Sequence, residues 1–592
     1  MGLIVQKFGG SSVADPEKIL AAARKAIRTQ QQGNQVVMVV SAMGDTTDDL
    51  LELAGKICER PPAREMDMLL STGEQISVAL MAMAIHSLGY KAVSLTGAQI
   101  GIKTDATHTK ARIKSISTAR VQRLLNEGNI VIAAGFQGID DDFDITTLGR
   151  GGSDTTAVAL AAVLNADACE IYTDVDGVYT TDPRLLPEAR HVERIAYDEM
   201  LELASLGAGV MHNRSIEFAK KFGTVIHVRS SFSDSPGSMI VAEPEFADRA
   251  VCGAAVIKNE ARVSVLGIPD RPGVSLQIFS AIAAKNVNVD MIVQNVGEKG
   301  LADISFTVPK NELAVTLESV QQAVSQLGSG TVSHDENVSK VSVVGLGMAK
   351  QSGVAETMFS ALAAENVNIQ MITTSEIKIS VLVDRDAAQS ALRGIHRAFE
   401  LDKPSPGGVT PLTAEHAKAD AADVASRLRG ANMEELFIDD ISLDETQGRV
   451  TINGVPDVPG IAARVFREIA AGGVFVDMIV QSHGSHADQA SLSFTVPRGQ
   501  VEKATDVAKR LVKQLSCKDV NSCPNIAKLS VSGVGLRSHT GVAIRMFRAL
   551  ADAGVNVDMV STSEVRVNVV VDGRDGDRAL DSLRAAFADA LG

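Results

Sequence analysis

The second half of this chain repeats itself. Arg262-Val-Ser-Val-Leu-Gly-Ile-Pro-Asp-Arg-Pro-Gly273 returns as Arg449-Val-Thr-Ile-Asn-Gly-Val-Pro-Asp-Val-Pro-Gly460, and Asp290-Met-Ile-Val-Gln294 returns as Asp477-Met-Ile-Val-Gln481 at the same offset. A second unit, Val341-Ser-Val-Val-Gly-Leu-Gly347, returns as Leu529-Ser-Val-Ser-Gly-Val-Gly535, and Ser375-Glu376 returns as Ser563-Glu564, again at one shared offset. The tail is therefore two tandem pairs made by duplicating a pair, and any fold for it must contain the same two small units twice.

Each unit reads strand, turn, amphipathic helix, strand, strand, helix. In the first, the spacing predicts a helix over Val274 to Lys285 and a strand over Leu301 to Val308. The order is βαββαβ, as in ferredoxin-like domains. Composition shifts divide the tail into units at 246–337, 338–402, 431–524 and 525–592. Residues 403–430 begin Lys-Pro-Ser-Pro-Gly-Gly and turn Ala- and Asp-rich, which reads as a linker with one exposed helix.

Residues 1–245 carry a different pattern. Continuous apolar runs at Val36 to Val40, Ile130 to Ala134 and Ala168 to Tyr172 read as strands buried on both faces. Helical spacing over Met66 to Leu88 and an Ala-rich helix over Asp154 to Leu164 alternate with them. The expectation is an α/β domain of three layers with a mostly parallel sheet, followed by four ferredoxin-like units. Ligands of such sheets bind beyond the carboxyl ends of the strands.

Bulk properties remove whole classes of function. A net charge of −15 argues against nucleic acid and anionic membrane as partners. Five scattered cysteines suit a reduced, cytoplasmic protein and exclude a disulfide framework. No apolar run reaches the ~18 residues of a membrane helix, and a strand pattern from Leu3 leaves no room for a signal peptide. The eleven histidines fall in no ligand or triad spacing.

Three loops on the expected ligand edge carry the chemistry. Lys7-Phe8-Gly9-Gly10-Ser11-Ser12 follows the first strand pattern and precedes a helix over Pro16 to Gln32. Glycine amides, a lysine and a helix N-terminus suit a phosphate, and glycines at such a turn equally serve chain geometry. It is not a Walker A loop. Leu148-Gly149-Arg150-Gly151-Gly152-Ser153-Asp154 opens the second helix. Ser153 or Asp154 fits a plain helix cap, while two glycines and Arg150 fit an anion site. Tyr172-Thr-Asp-Val-Asp-Gly-Val-Tyr-Thr-Thr-Asp-Pro-Arg184 lacks the twelfth-position glutamate of a calcium loop. Asp174 and Asp182 fit Mg²⁺, ribose, adenine or a polar turn. Glu74 lies beside Gly73 in a helix, so something packs closely there, a ligand being one candidate; Ser41 and Thr47 lie on the same sheet edge.

Together and in this order the three loops resemble the amino acid kinase family and, within it, its aspartokinase branch; the repeated tail resembles ACT domains, small amino-acid-binding modules. The resemblance implies phosphorylation of L-aspartate on its side-chain carboxylate by ATP with Mg²⁺, the first step towards lysine, threonine and methionine. It implies that Lys7 and Asp154 are catalytic, Lys7 neutralising the transferring group and Asp154 orienting lysine and metal. Lys7, Gly9, Gly10, Ser11, Thr173, Asp174, Tyr179, Asp182 and Arg184 would hold the nucleotide. Ser41, Thr47, Glu74, Arg150, Gly151, Gly152 and Ser153 would hold aspartate, Glu74 near its amino group and Arg150 on a carboxylate. The metal ligands stay unassigned. Some family members carry a lysine after a Ser-Ser pair; here Ser230-Ser231 precedes Phe232, leaving Arg229 or Lys221 as substitutes.

In the tail the resemblance implies feedback by lysine, threonine or both, and a homodimer through ACT units. Asp270, Gly273, Asn288, Asp290 and Gln294 in the first unit, and Asp457, Gly460, Asp477 and Gln481 in the third, suit the charged ends of a free amino acid. The Pro-Asp-x-Pro-Gly motif also fits a simple tight turn. Ser375 and Glu376 in the second unit and Ser563 and Glu564 in the fourth are further effector candidates. Two alternatives stand beside this reading: an amino-acid sensor with an inactive kinase half, and a kinase for another carboxylate acceptor.

Overall fold

The computed structural model describes residues 2–207, 210–245, 249–296, 300–404, 433–483, 489–536 and 541–591. Most of the expected linker, including its helix, lies outside the described residues. The chain divides into two compact units: residues 1–179, 191–245 and 409–435 in one, and 180–190, 246–408 and 436–592 in the other.

The first unit is built on an eight-stranded sheet in the order Arg194–Ala196, Ser238–Val241, Ile226–Ser230, Ala168–Thr173, Leu3–Phe8, Gln35–Val40, Ile130–Ala134, Ala92–Leu95. Six strands run parallel; Ser238–Val241 turns back on Ile226–Ser230, and Arg194–Ala196 follows it. Val36 to Val40 are fully buried because helices cover both faces. Phe8, Met38 and Val40 pack with Ile19 and Ala23 of the helix Pro16–Gln31 and Met81 and Ile85 of the helix Ala63–Ser87. The helix Gly152–Val163 lies buried over Gly152 to Ala162, and its run of alanines fits that crowding. Leu3–Phe8 is flanked by Gln35–Val40 and Ala168–Thr173, so the sheet's order reverses at this strand, where ligands of such sheets bind. Lys7 is part of that strand, opposite Val39 and Ile171, rather than of the turn after it.

Among the described residues, Ala63–Ser87 is long and apolar enough by length and composition to cross a membrane, against the sequence expectation. Half of its apolar window is buried in this fold.

In the second unit, Gly253–Pro269, Val274–Ala283, Asp290–Val296, Leu301–Pro309, Leu313–Leu327 and Thr331–Val344 form the first βαββαβ motif. The strand Thr331–Val344 serves twice: Thr331 to Asp335 pair back on Arg262 to Leu266, and Val338 to Val344 pair with Lys378–Asp384 of the second motif. Among the described residues, the second and fourth motifs end in the helices Ala388–Ala398 and Gly576–Ala586, without the sixth strand that the expected order requires. Upstream strands fill the place: Gly253 to Ile257 pair with Lys340 to Val344, and Phe437–Asp444 pairs with Ile526–Val534. An open edge beside a motif's first strand would otherwise expose unpaired backbone groups.

The duplication folds into two crossed pairs. Met371–Thr374 of the second motif pairs antiparallel with Ile479–His483 of the third, and those motifs share one core. The first and fourth share another, with Phe279 stacked on Phe547 at 5.6 Å. Met291, Met371, Met478 and Met559, one from each motif, meet in a further cluster.

Candidate active site

The loops of interest in the first unit converge on the carboxyl ends of the strands. Lys7 Nζ lies 2.6 Å from Asp154 Oδ1, both side chains being 12% exposed. Gly9 N–H bonds Tyr172 O at 3.4 Å, and Gly10 lies so close to the turn after Gln35–Val40 that a Cβ there would stand 2.9 Å from Ala42 O. Ser41 N–H bonds Phe8 O at 3.1 Å, which ties that turn to the lysine strand. Ser11 is exposed and Ser12 buried, its Oγ 2.5 Å from Ser231 Oγ.

Two sequence readings change here. The helix Pro16–Gln31 does not offer an open N-terminus, because the Asp15 carboxylate accepts from Lys18 N–H at 2.9 Å. The open one belongs to Gly152–Val163. Its N-cap is Gly151 with φ +70°, and no side chain caps it among the described residues, so neither Ser153 nor Asp154 is spent as a cap. Only glycine sits easily at that φ, and a Cβ at Gly151 would stand 2.3 Å from His212 Cβ. Gly152 N–H bonds Gly149 O at 3.0 Å, and the positive end of this buried helix lies beside Lys7 and Asp154, an electrostatic setting for an anion. Arg150, on the same loop, is exposed.

Glu74 is 3% exposed. Its Oε1 accepts from Ala42 N–H at 3.2 Å, while Oε2 is buried without a hydrogen-bond partner among the described residues. Burial pushes the Glu74 carboxyl up to about 7, a little offset by the Ala42 amide. Gly73 makes room for protein rather than ligand, since a Cβ there would meet Ala42 Cβ at 2.8 Å. Thr47 lies in the first turn of the helix Thr46–Ile57, half-buried.

Of the residues expected to hold the nucleotide, Thr173 ends its strand and Thr173 Oγ1 donates to Asp174 at 3.1 Å. Tyr179 packs edge-on to His191, centroids 5.4 Å apart. Asp182 and Arg184 belong to the segment 180–190 of the second unit and pair with each other at 2.8 Å, holding the Asp182 carboxyl below the usual range. Neither suggested substitute for the missing lysine stands open: Arg229 pairs with Glu170 at 3.0 Å and Lys221 donates to Glu435 O at 3.0 Å.

Sequence reasoning missed the residues that brace these loops. Buried Asp67 accepts from Thr109 N–H at 3.0 Å, Thr147 Oγ1 at 2.5 Å and His108 Nδ1 at 2.8 Å. A buried aspartate needs such donors, but Asp67 reads in sequence as one more helical acid. Arg214 holds the carbonyls of Leu148 and Ala111, each at 2.5 Å.

In the second unit the duplicated motifs build matching sites. Asn556 Nδ2 donates to Asp270 at 2.7 Å, and Asn368 Nδ2 to Asp457 at 2.8 Å. Gln294 Nε2 donates to Val557 O at 2.6 Å, and Gln481 Nε2 to Ile369 O at 2.8 Å. Gly273 and Gly460 cap the helices Val274–Ala283 and Ile461–Ala471. Asp290 is ion-paired with buried Lys340, and Asp477 with Lys528 at 2.5 Å, so both carboxylates are already neutralised inside the fold. Asn288, Asp290, Ser563 and Glu564 line one cavity of about 110 Å³ whose apolar wall includes Phe279 and Phe547. Glu376 of the second motif binds Arg566 of the fourth, and Ser375 Oγ is buried without a partner among the described residues.

A model of the amino acid kinase family matches residues 2–230, and an ACT domain model matches four times, at 263–324, 341–399, 450–511 and 529–587. An aspartate kinase of Stutzerimonas stutzeri is 49% identical over 407 residues, 68% of this chain and 99% of that protein. An aspartokinase of Pseudomonas aeruginosa is 49% identical over 411 residues, 69% of this chain and all of that protein. The crystal structure of an aspartate kinase from Synechocystis matches 99% of this chain and 98% of its own, at 40% identity and a TM-score of 0.52. The E. coli aspartokinase III in complex with aspartate and ADP shares the fold over 67% of this chain, at 24% identity and a TM-score of 0.56.

Proposed function

This chain belongs to the amino acid kinase family, in its aspartokinase branch with four ACT domains, and on that premise we propose how its residues carry the reaction and its control. It is a phosphotransferase that uses ATP and accepts on the carboxyl group of aspartate. That acceptor is ionised at neutral pH, since its reference pKa is about 3.9, so no general base is needed. The difficulty is bringing two anions together, and fixed positive charge lowers that barrier.

Lys7 stands where the transferring phosphoryl group carries its charge, and Asp154 orients it. Gly9, Gly10 and Ser11 cradle phosphate oxygens beside the amides of Ser153 and Asp154 at the helix start. Thr173, Asp174 and Tyr179 hold the nucleotide. Arg150 binds a carboxylate of aspartate, Glu74 its ammonium group, and Ser41, Thr47 and Gly151 complete the pocket. Mg²⁺ bound to ATP supplies further neutralisation; Asp154 and Asp174 suit a cation held mainly by phosphates and water. The observation that carries the reading is the Lys7–Asp154 pair, 2.6 Å apart at the end of the central strand. Trapping the acyl phosphate with hydroxylamine tests it: wild type should give hydroxamate with ATP, Mg²⁺ and L-aspartate. Lys7→Ala should lower kcat by roughly 10²–10³-fold in a folded protein, the scale of losing one charge-stabilising donor. No hydroxamate from wild type, or an unchanged rate in Lys7→Ala, would end the assignment.

The ACT half binds the end products lysine, threonine or both. The cavity with Asn288, Asp290, Ser563 and Glu564 joins polar groups to an apolar wall, which suits an amino acid with an aliphatic side chain. The Asp270–Asn556 and Asp457–Asn368 junctions are the second kind of effector site. Lysine, threonine or the two together should lower the hydroxamate rate at millimolar concentration, and a rate insensitive to both removes the reading. We divide the chain into a kinase domain over 1–245, ACT units over 246–337, 338–402, 431–524 and 525–592, and a linker over 403–430. The enzyme works in the cytoplasm as a homodimer through its ACT units.

A further inference from the structure

The loop that carries Arg150 is held from behind by one arginine, and that arginine is held by a residue from far along the chain. Arg214 Nη1 donates to Leu148 O and Nη2 to Ala111 O, each at 2.5 Å. Ala111 N–H bonds Thr147 O at 2.9 Å, so Arg214 clamps both sides of the turn that leads to Gly149-Arg150-Gly151. His212, two residues before Arg214, packs against Gly151. The remaining edge of the Arg214 fork faces Glu434: Nε donates to Oε2 at 2.9 Å and Nη2 reaches the same oxygen. The side chains of Arg214 and Glu434 are 15% and 8% exposed.

Glu434 lies in a short segment pinned along the kinase unit. Met433 N–H bonds Lys114 O at 3.2 Å, and Lys221 Nζ donates to Glu435 O at 3.0 Å. Three residues after Glu434, Phe437 opens the strand that completes the fourth ACT motif. A guanidinium presents its donors in one rigid plane, so a carboxylate fixed on one edge decides where the others point. Partners one step behind a binding group set its orientation.

We propose that Glu434 is a positioning residue for aspartate: by holding Arg214 it holds the Leu148 and Ala111 carbonyls, and through them the Gly149–Gly152 loop with Arg150. This rests on the reading that Arg150 binds the substrate carboxylate. It also gives the chain a covalent route between the middle of its regulatory tail and the aspartate pocket.

The test uses the full chain with Glu434→Gln, Glu434→Asp and Arg214→Lys, measuring initial rates against each substrate and hydrogen exchange over residues 147–152. Glu434→Gln is nearly isosteric and keeps an acceptor, so it is the variant expected to fold best. The expected result is a roughly tenfold rise in the KM for aspartate with the KM for ATP within about twofold, faster exchange over 147–152, and partial rescue by Glu434→Asp. Arg214→Lys, which loses the fork but keeps the charge, should move both readouts the same way. Unchanged exchange and unchanged aspartate KM in Glu434→Gln overturn the proposal. So does an equal rise in both KM values with a lower melting temperature, which marks a merely structural pair. Arg150→Ala separates the two layers. If its aspartate KM is unchanged, the substrate reading fails, while exchange over 147–152 still decides the clamp.

Discussion

Glu74 offers a prediction that joins stability to binding. Its carboxyl titrates near 7 in the fold, against 4.5 in the unfolded chain, because burial penalises the ionised form. Between those values the folded state holds a proton that the unfolded state has lost. Stability therefore falls as pH rises through this window and levels off above about 7. At about 1.36 kcal/mol per unit, the buried charge costs the free enzyme on the order of 3 kcal/mol at pH 8. Glu74→Gln removes that cost. The variant should unfold at a higher temperature than wild type at pH 8 without ligand, and the difference should shrink toward pH 4.5. The same change should weaken aspartate binding. An ammonium placed at Oε2 makes a charge-assisted bond worth about 1.5–3 kcal/mol, or roughly 10- to 100-fold in affinity. Calorimetric unfolding across pH 4.5–8 and aspartate titration at pH 8 read the two effects. Wild-type aspartate affinity should itself rise with pH up to about 7, as ionised Glu74 becomes available. A Gln variant with wild-type pH dependence of unfolding, or with wild-type aspartate affinity, would refute the reasoning.

Two further outcomes are expected. Gly151→Ala puts a side chain at φ +70° and drives its Cβ into His212, so it should cost about 1–3 kcal/mol of stability and lower kcat, checked by thermal unfolding beside steady-state rates. Asp290→Asn leaves the Lys340 ammonium, 1% exposed, without its countercharge and should cost about 3–5 kcal/mol, while the double variant with Lys340→Met recovers most of it in denaturant unfolding.

Much of the architecture is legible in the sequence. The runs Val36 to Val40 and Ile130 to Ala134 are strands inside the sheet because a strand covered on both faces favours a continuous apolar run. The constant offsets between the repeated segments placed the four ACT motifs, since a duplicated sequence buries the same positions twice. Lys7, Arg150 and Asp154 announced themselves through glycines that normal helix and strand grammar does not require. The rest was hidden for physical reasons. Asp15 and Asp154 are both acids at a helix start, and only the backbone shows that Asp15 caps while Asp154 pairs with Lys7. Asp290 and Asp477 read as ligands for a free amino acid, yet the fold brings lysines from the next motif onto them. The borrowed strands Gly253 to Ile257 and Phe437–Asp444 were invisible because nothing local tells a strand which edge it will join.

Period, glycine placement and internal repetition therefore determined which elements form, how many motifs the tail holds and which loops carry charge. Those are local properties, set by backbone sterics and by how often an apolar side chain recurs. The tertiary structure decided the partners: that the first ACT motif shares a core with the fourth and the second with the third, that Glu74 is buried with one oxygen unpaired, and that Glu434 reaches Arg214. Pairings between segments far apart in the chain depend on which surfaces meet once the elements have formed, and that is a property of the packed molecule.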